Sequence, residues 1–142
     1  MQDTSKVRTV LECMAIDSAS FPLSEAKLQE LERIDREQHE LIATHPEDNL
    51  RFAELDKEFH CAIAACCDNA SLIEFIQNIN NIMVRINVLS GTLPQNRQDA
   101  LIEHENIIAF LKKGQREFAK VALSEHLKHV EERMLSESKK ER

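Results

Sequence analysis

A chain of 142 residues with 25 acidic and 18 basic side chains, net charge −7, is the size of one domain able to bury a core, and its charge is wrong for gripping a phosphate backbone alone. Its longest unbroken apolar run, Cys61 to Cys67, is too short to cross a bilayer, and the opening Met1-Gln2-Asp3-Thr4 is no signal peptide. Two glycines and three prolines among abundant helix formers, with no sustained alternation of apolar and polar residues, exclude a sheet and point to an all-α fold.

About six helices are expected in one domain covering residues 1–142. The first runs from about Ser5 to Ser18 and is broken by Phe21-Pro22. Ser24 can N-cap a second helix reaching Thr44, where His45-Pro46 interrupts again. The third spans about Glu47 to Cys67. Asp68-Asn69 forms a turn, and Asn69 can cap the fourth, which ends near Ser90 with Gly91 on its C-terminal side. Pro94 opens the fifth, which stops at Gly114, and the sixth runs into the solvated tail Lys139-Lys140-Glu141-Arg142.

The fourth helix has only Glu74 and Arg85 as charges, and Phe75, Ile76, Ile79, Ile82, Met83, Ile86 and Leu89 cover a wide arc, so it is expected at the centre of the bundle. Asn78, Asn81 and Arg85 follow one another at spacings of three and four. They read either as the wall of a polar cavity, with Arg85 facing an anion, or as a modestly polar exposed strip.

Asp56, His60, His104 and His126 carry the most chemical information. Asp56 and His60 lie one turn apart on the third helix, beside Phe52, Phe59 and Ile63. His104 shares a stripe with Leu101, Ile107, Ile108 and Leu111, and His126 one with Ala119, Ala122, Leu123 and Val130. One inward histidine is most often an ordinary core residue. Inward histidines on three helices, with a carboxylate, suit a single divalent ion, with zinc or nickel first choice. His39, His45 and His129 lack this inward placement.

Cys13, Cys61, Cys66 and Cys67 form no C-x-x-C pair and are expected to be reduced, which points to the cytoplasm. Enzyme motifs are missing. The residues three before His60, His104 and His126 are Lys57, Leu101 and Leu123, so no Glu-x-x-His di-iron pattern exists; neither H-E-x-x-H nor a phosphate loop occurs. Glu103 and Glu105 flank His104 but point away from it along the helix, so no general base for a metal-bound water is evident. The reading is therefore a non-enzyme. A structural zinc bundle acting as a dimerisation module and a mononuclear metal hydrolase are the alternatives.

Arg8-Thr-Val-Leu-Glu12, Asp56-Lys-Glu-Phe59-His60 with Asn69 downstream, Glu103-His104 with Ile107, and Gly114-x4-Ala119-x6-His126-Leu127 together resemble the C-terminal ligand-binding domain of GntR-family transcription regulators, the FadR C-terminal domain type. Six helices rather than seven suit the shorter, VanR-like subgroup. Gly114-Gln115 departs from that family's usual Gly-Asp ahead of the last helix. The resemblance implies an antiparallel helical bundle with a central metal held by Asp56, His60, His104 and His126, and a small carboxylic acid as effector. It also implies a homodimer, for which Phe110 and Leu111 are candidate exposed apolar residues, and DNA contact only through an N-terminal winged helix-turn-helix absent from this chain. Arg85 is the expected carboxylate grip, with Asn78 and Asn81 reading hydroxyls. Arg8 is a second candidate, although Glu12 lies one turn on and can pair with it.

Overall fold

A computed structural model describes the backbone of residues 2–90 and 94–140, with side chains for 3–89 and 96–136. Six helices make up the described structure: α1 (Gln2–Ser18), α2 (Glu25–Thr44), α3 (Asn49–Ala64), α4 (Ala70–Ser90), α5 (Pro94–Lys112) and α6 (Arg116–Lys140). Local signals set several boundaries. The Ser24 hydroxyl accepts from the Lys27 amide, Asp48 caps α3 through the Arg51 amide, and the Asn69 side chain accepts from the Leu72 amide. Asp48 is therefore the cap of the third helix, which begins at Asn49, two residues after the expected Glu47. Gly114, at φ +72°, supplies the left-handed residue that closes α5. The expected role of Gly91 lies outside the described residues.

The helices close into a ring. α1 packs between α4 and α6, α4 against α3, α3 against α2, α2 against α5, and α5 against α6, with α1 also touching α3. Short connections follow α1, α2, α3 and α5, and of the consecutive helices α2 and α3, α3 and α4, and α5 and α6 pack directly on one another. Among the described residues no helix is long and apolar enough to cross a membrane.

The interior changes character along the bundle axis. One end is a dry plug, where Ile16, Leu23, Leu31, Ile34, Phe59, Ile63, Ile107, Leu111 and Leu123 interlock. Ala15, Ala64, Leu72 and Ile76 form a smaller cluster where α1, α3 and α4 meet. Toward the other end lies a cavity lined by residues including Asn49, Phe52, Asp56, Asn87, Arg97, Arg133 and Met134.

Two expectations about packing are corrected. α4 is a member of the ring and not its centre: Leu72, Ile76, Asn80 and Met83 face inward, while Phe75, Ile82 and Leu89 are exposed at 60%, 43% and 86%. Its apolar arc is wide because it serves both a core and an outer face. Leu111 is buried in the plug and Phe110 is half-buried, stacked on Phe118 at 5.6 Å. Exposed apolar residues lie on neighbouring α1 and α4, with Val7, Val10 and Met14 on the first and Phe75, Ile82 and Leu89 on the second, and also at Leu50 on α3, Ile102 on α5 and Phe118 and Val121 on α6.

Candidate metal centre

Every helix sends a polar side chain to the middle of the ring. α3 contributes Asp56 and His60, α5 Glu103 and His104, α6 His126, α1 Glu12, α2 Gln38 and α4 Asn80. The four residues picked out as ligands from their helical stripes converge. His104 Nε2 lies 3.2 Å from His126 Nε2 and 3.3 Å from Asp56 Oδ1, and His60 Nε2 lies 3.8 Å from Asp56 Oδ2. Ligands at about 2.0–2.1 Å from one ion sit roughly 3.0–3.4 Å apart in octahedral or tetrahedral arrangements. Two of the observed separations fall in that range and the His60–Asp56 one is longer; the three histidines each offer a nitrogen within 4.8 Å of the others.

Each imidazole is tied by its outer nitrogen. His60 Nδ1 donates to Glu12 Oε1 at 2.5 Å, His126 Nδ1 to Glu103 Oε1 at 2.6 Å, and His104 Nδ1 to Gln38 Oε1 at 3.1 Å. A carboxylate only accepts, so the Nδ1 atoms of His60 and His126 carry hydrogens, and their Nε2 atoms are turned toward the centre. Phe59 stacks on the His104 ring at 3.9 Å and fixes its plane.

Burial pushes the His104 imidazole below its ordinary value and that of His126 down to about 3, so both are neutral near pH 7. Burial alone would raise the carboxyls. At Glu12 the neighbouring His60 and Arg8 outweigh it and hold the group at about 2. His60, His104 and Arg8 likewise keep Asp56, and Arg133 with His126 keep Glu103, well below the usual carboxylate range.

The donor set fits a divalent ion. His104 Nε2 and His126 Nε2 face each other at 3.2 Å, a spacing that a shared proton or a cation can bridge. His60 Nε2 is fully buried with no hydrogen-bond partner. An ion held by Asp56, His60, His104 and His126 would satisfy all of these atoms together. Asp56, with 15% of its side chain exposed where the histidines have at most 1%, also lines the cavity, so the ligand shell borders open space on that side.

The residues expected to grip a carboxylate divide. Arg8 is buried at the centre. Its Nε donates to Glu12 at 2.8 Å, as the spacing of four allows, while its Nη2 lies 4.0 Å from Asp56 without a hydrogen-bond partner. Arg85, Asn78 and Asn81 do not meet the expectation of a cavity wall: all three are exposed on the outer side of α4, the side of Phe75 and Ile82. The amides that face inward are Asn80 and Asn87, half a turn round the helix, and the cations at the cavity are Arg97 and Arg133. Glu103 also differs from expectation. It points away from His104 but reaches across to His126, His129 and Arg133. His39, His45 and His129 are exposed, and the four cysteines are free, with Cys66 and Cys67 buried.

Acid destabilises this centre through both kinds of group. A histidine whose pKa falls on folding binds fewer protons folded than unfolded, so stability is lost as the pH drops below its free value near 6.5. Carboxyls held low when folded add stability above about pH 4.5 that disappears as the pH falls further. Thermal melts of the metal-free protein should therefore show a Tm that declines from pH 7 to pH 5 and more steeply below pH 4.5. A Tm unchanged between pH 7 and pH 5 would contradict neutral buried histidines.

Comparison with known proteins bears on the fold and the family. The FCD domain family model matches residues 3–129. The chain is 28% identical over 132 residues to an uncharacterized HTH-type transcriptional regulator, YdhC, of Bacillus subtilis (strain 168), an alignment covering 88% of this chain and 58% of that protein. Its fold matches the crystal structure of a transcriptional regulator, a GntR family member from Pseudomonas syringae pv. tomato str. DC3000, with a TM-score of 0.72 at 20% identity, over 99% of this chain and 59% of that one. The chain thus spans a little under three-fifths of the length of these two proteins. It belongs to the FCD domain family, the C-terminal domains of GntR-family transcription regulators.

Proposed function

We propose that this chain is the metal-dependent effector-binding domain of a transcription regulator. One divalent ion, zinc or nickel, would be held by Asp56, His60, His104 and His126. The observation that carries the reading is the convergence of imidazole nitrogens whose outer sides are all tied, with the Nε2 atom of His60 buried and unpartnered. When bound, the ion supplies a positive pole for an anion. The chain's own part is to hold His104 and His126 neutral, border the shell with a cavity on the Asp56 side and furnish cations there. A small carboxylic acid would lodge in that cavity, reaching toward the ion and toward a guanidinium. Arg8, with its unpartnered Nη2, supports this role, as do Arg97 and Arg133 in the cavity wall. The relatives' names support a regulatory role over an enzymatic one. DNA would be contacted through an N-terminal winged helix-turn-helix outside these 142 residues, and the free cysteines accord with a cytoplasmic setting.

We also propose that the domain pairs with a second copy through α1 and α4. Phe75, Ile82 and Leu89 recur every seven residues, the spacing that lets one helix seat against another, and Val7, Val10 and Met14 extend the surface on the adjoining helix.

A structural site is the second reading, since four protein ligands can close a zinc shell. The cavity at Asp56 favours the sensor.

Purified protein is expected to contain about one divalent ion per chain by elemental analysis. His60→Ala should lower both the metal content and the Tm, because an open shell strands the remaining ligands. Protein that carries no metal and takes none up on titration would overturn the metal reading. Hydroxy- and dicarboxylic acids should raise the Tm of the metal-loaded protein. At a hundred times the dissociation constant the gain is about 2.7 kcal/mol, of order 5–10 °C for a domain this size. Chelation should remove most of that shift, and Arg85→Ala should leave it intact. Acids that shift nothing, or shift metal-free and loaded protein alike, would favour the structural reading. In sedimentation the wild type should be dimeric and Ile82→Glu monomeric. A dimer that survives Phe75→Glu together with Ile82→Glu would place the interface elsewhere.

A further inference from the structure

Glu103 has an unusual number of claims on it. Its Oε1 accepts from His126 Nδ1 at 2.6 Å and from Arg133 Nη2 at 2.8 Å. Its Oε2 accepts from His129 Nδ1 and from Arg133 Nη1, both at 2.9 Å. His126, His129 and Arg133 follow at spacings of three and four along α6, so they form one row facing the Glu103 carboxylate of α5, with Asp99 and Asp56 further off toward Arg133. His126 and Arg133 thus share the same carboxylate oxygen. Arg133 is also part of the cavity wall, on the α6 side, while Asp56 borders the same cavity from α3.

We infer that Arg133 and Glu103 couple the cavity to the metal centre, so that an anion bound in the cavity alters the hold on His126. The inference rests on the effector reading above and concerns how that site is regulated. Arg133 commits two of its five N–H groups to Glu103, leaving part of its fork for an anion in the cavity. An anion there shares the guanidinium charge and weakens its grip on Glu103. Oε1 then accepts more strongly from His126 Nδ1–H, and the Nε2 of His126 becomes a better donor to a metal. Anion and metal therefore reinforce each other, and because binding free energies are linked, each raises the affinity of the other by the same factor. The row does not require the carboxylate to touch the ion. It adds to any direct contact, and the two contributions separate by mutation.

The experiment measures the zinc dissociation constant by chelator competition, with and without malate as the probe anion, in wild type, Glu103→Gln, Arg133→Lys and the exposed control Arg85→Ala. Malate should tighten zinc binding in the wild type and in Arg85→Ala. Glu103→Gln should weaken zinc by about 10–100-fold, the usual effect of losing a carboxylate behind a ligating imidazole. In both Glu103→Gln and Arg133→Lys the ratio of zinc constants with and without malate should fall toward one. Arg133→Lys keeps the charge and helical propensity, so it guards against simple misfolding. Independently of any variant, the His126 Nδ1–H proton resonance of zinc-loaded wild type should move when malate is added. Malate that leaves wild-type zinc affinity unchanged would bring down the effector reading and this inference with it. A wild-type malate effect that persists undiminished in both variants, with no change at His126 Nδ1–H, would overturn the inference alone.

Discussion

The fold depends on a polar centre that no single helix can satisfy. His60, His104, His126, Glu12, Gln38 and Asn80 are almost wholly buried, and they find partners chiefly across the ring. A buried donor or acceptor left unpaired costs about 1–3 kcal/mol, more for a charge. Sliding any one helix by a turn would strand several of these groups together. Apolar packing at the plug end supplies the drive to collapse, but oily side chains tolerate many registers. The network of imidazoles, carboxylates and amides selects one.

This division of labour explains the gradient along the axis. The closed end is built by α1, α2, α3, α5 and α6 from branched aliphatic residues and Phe59. Toward the cavity, spacing is held by Arg97, which stacks over Phe52 at 5.3 Å and hydrogen-bonds the Pro46 carbonyl and Asn49. That end leaves room, while the plug does not. The candidate ligand residues sit at the boundary, where His60 and His104 are sealed and Asp56 is partly open.

Much of this was legible along the chain because it is periodic. Caps at Ser24 and Asn69, the glycine stop at Gly114 and the histidine stripes are all local patterns, and they placed the helices and the inward direction of His60, His104 and His126. What was not legible is pairing between distant segments. Glu12 lies 48 residues from His60, and Gln38 lies 66 from His104, so no spacing rule links them. Glu103 could have been found, since His126, His129 and Arg133 mark a row that needs a carboxylate. The expectation for Arg85 failed for a different reason. α4 is apolar on two sides, and sequence pattern alone does not say which side meets the core. The exposed side of Phe75 and Ile82 carries Arg85, and the buried side of Ile76 and Met83 carries Asn80.

α1 has a mechanical consequence. On its inner side Glu12 holds the His60 ring at 2.5 Å, and on its outer side Val7, Val10 and Met14 stand in the open. Glu12 and Val10 are only two residues apart and point in nearly opposite directions, so the backbone between them has no slack. The same short stretch of α1 therefore meets the His60 ring on one side and carries an apolar ridge on the other. The helix acts as a shared wall between the chemistry inside the ring and the surface it presents outside.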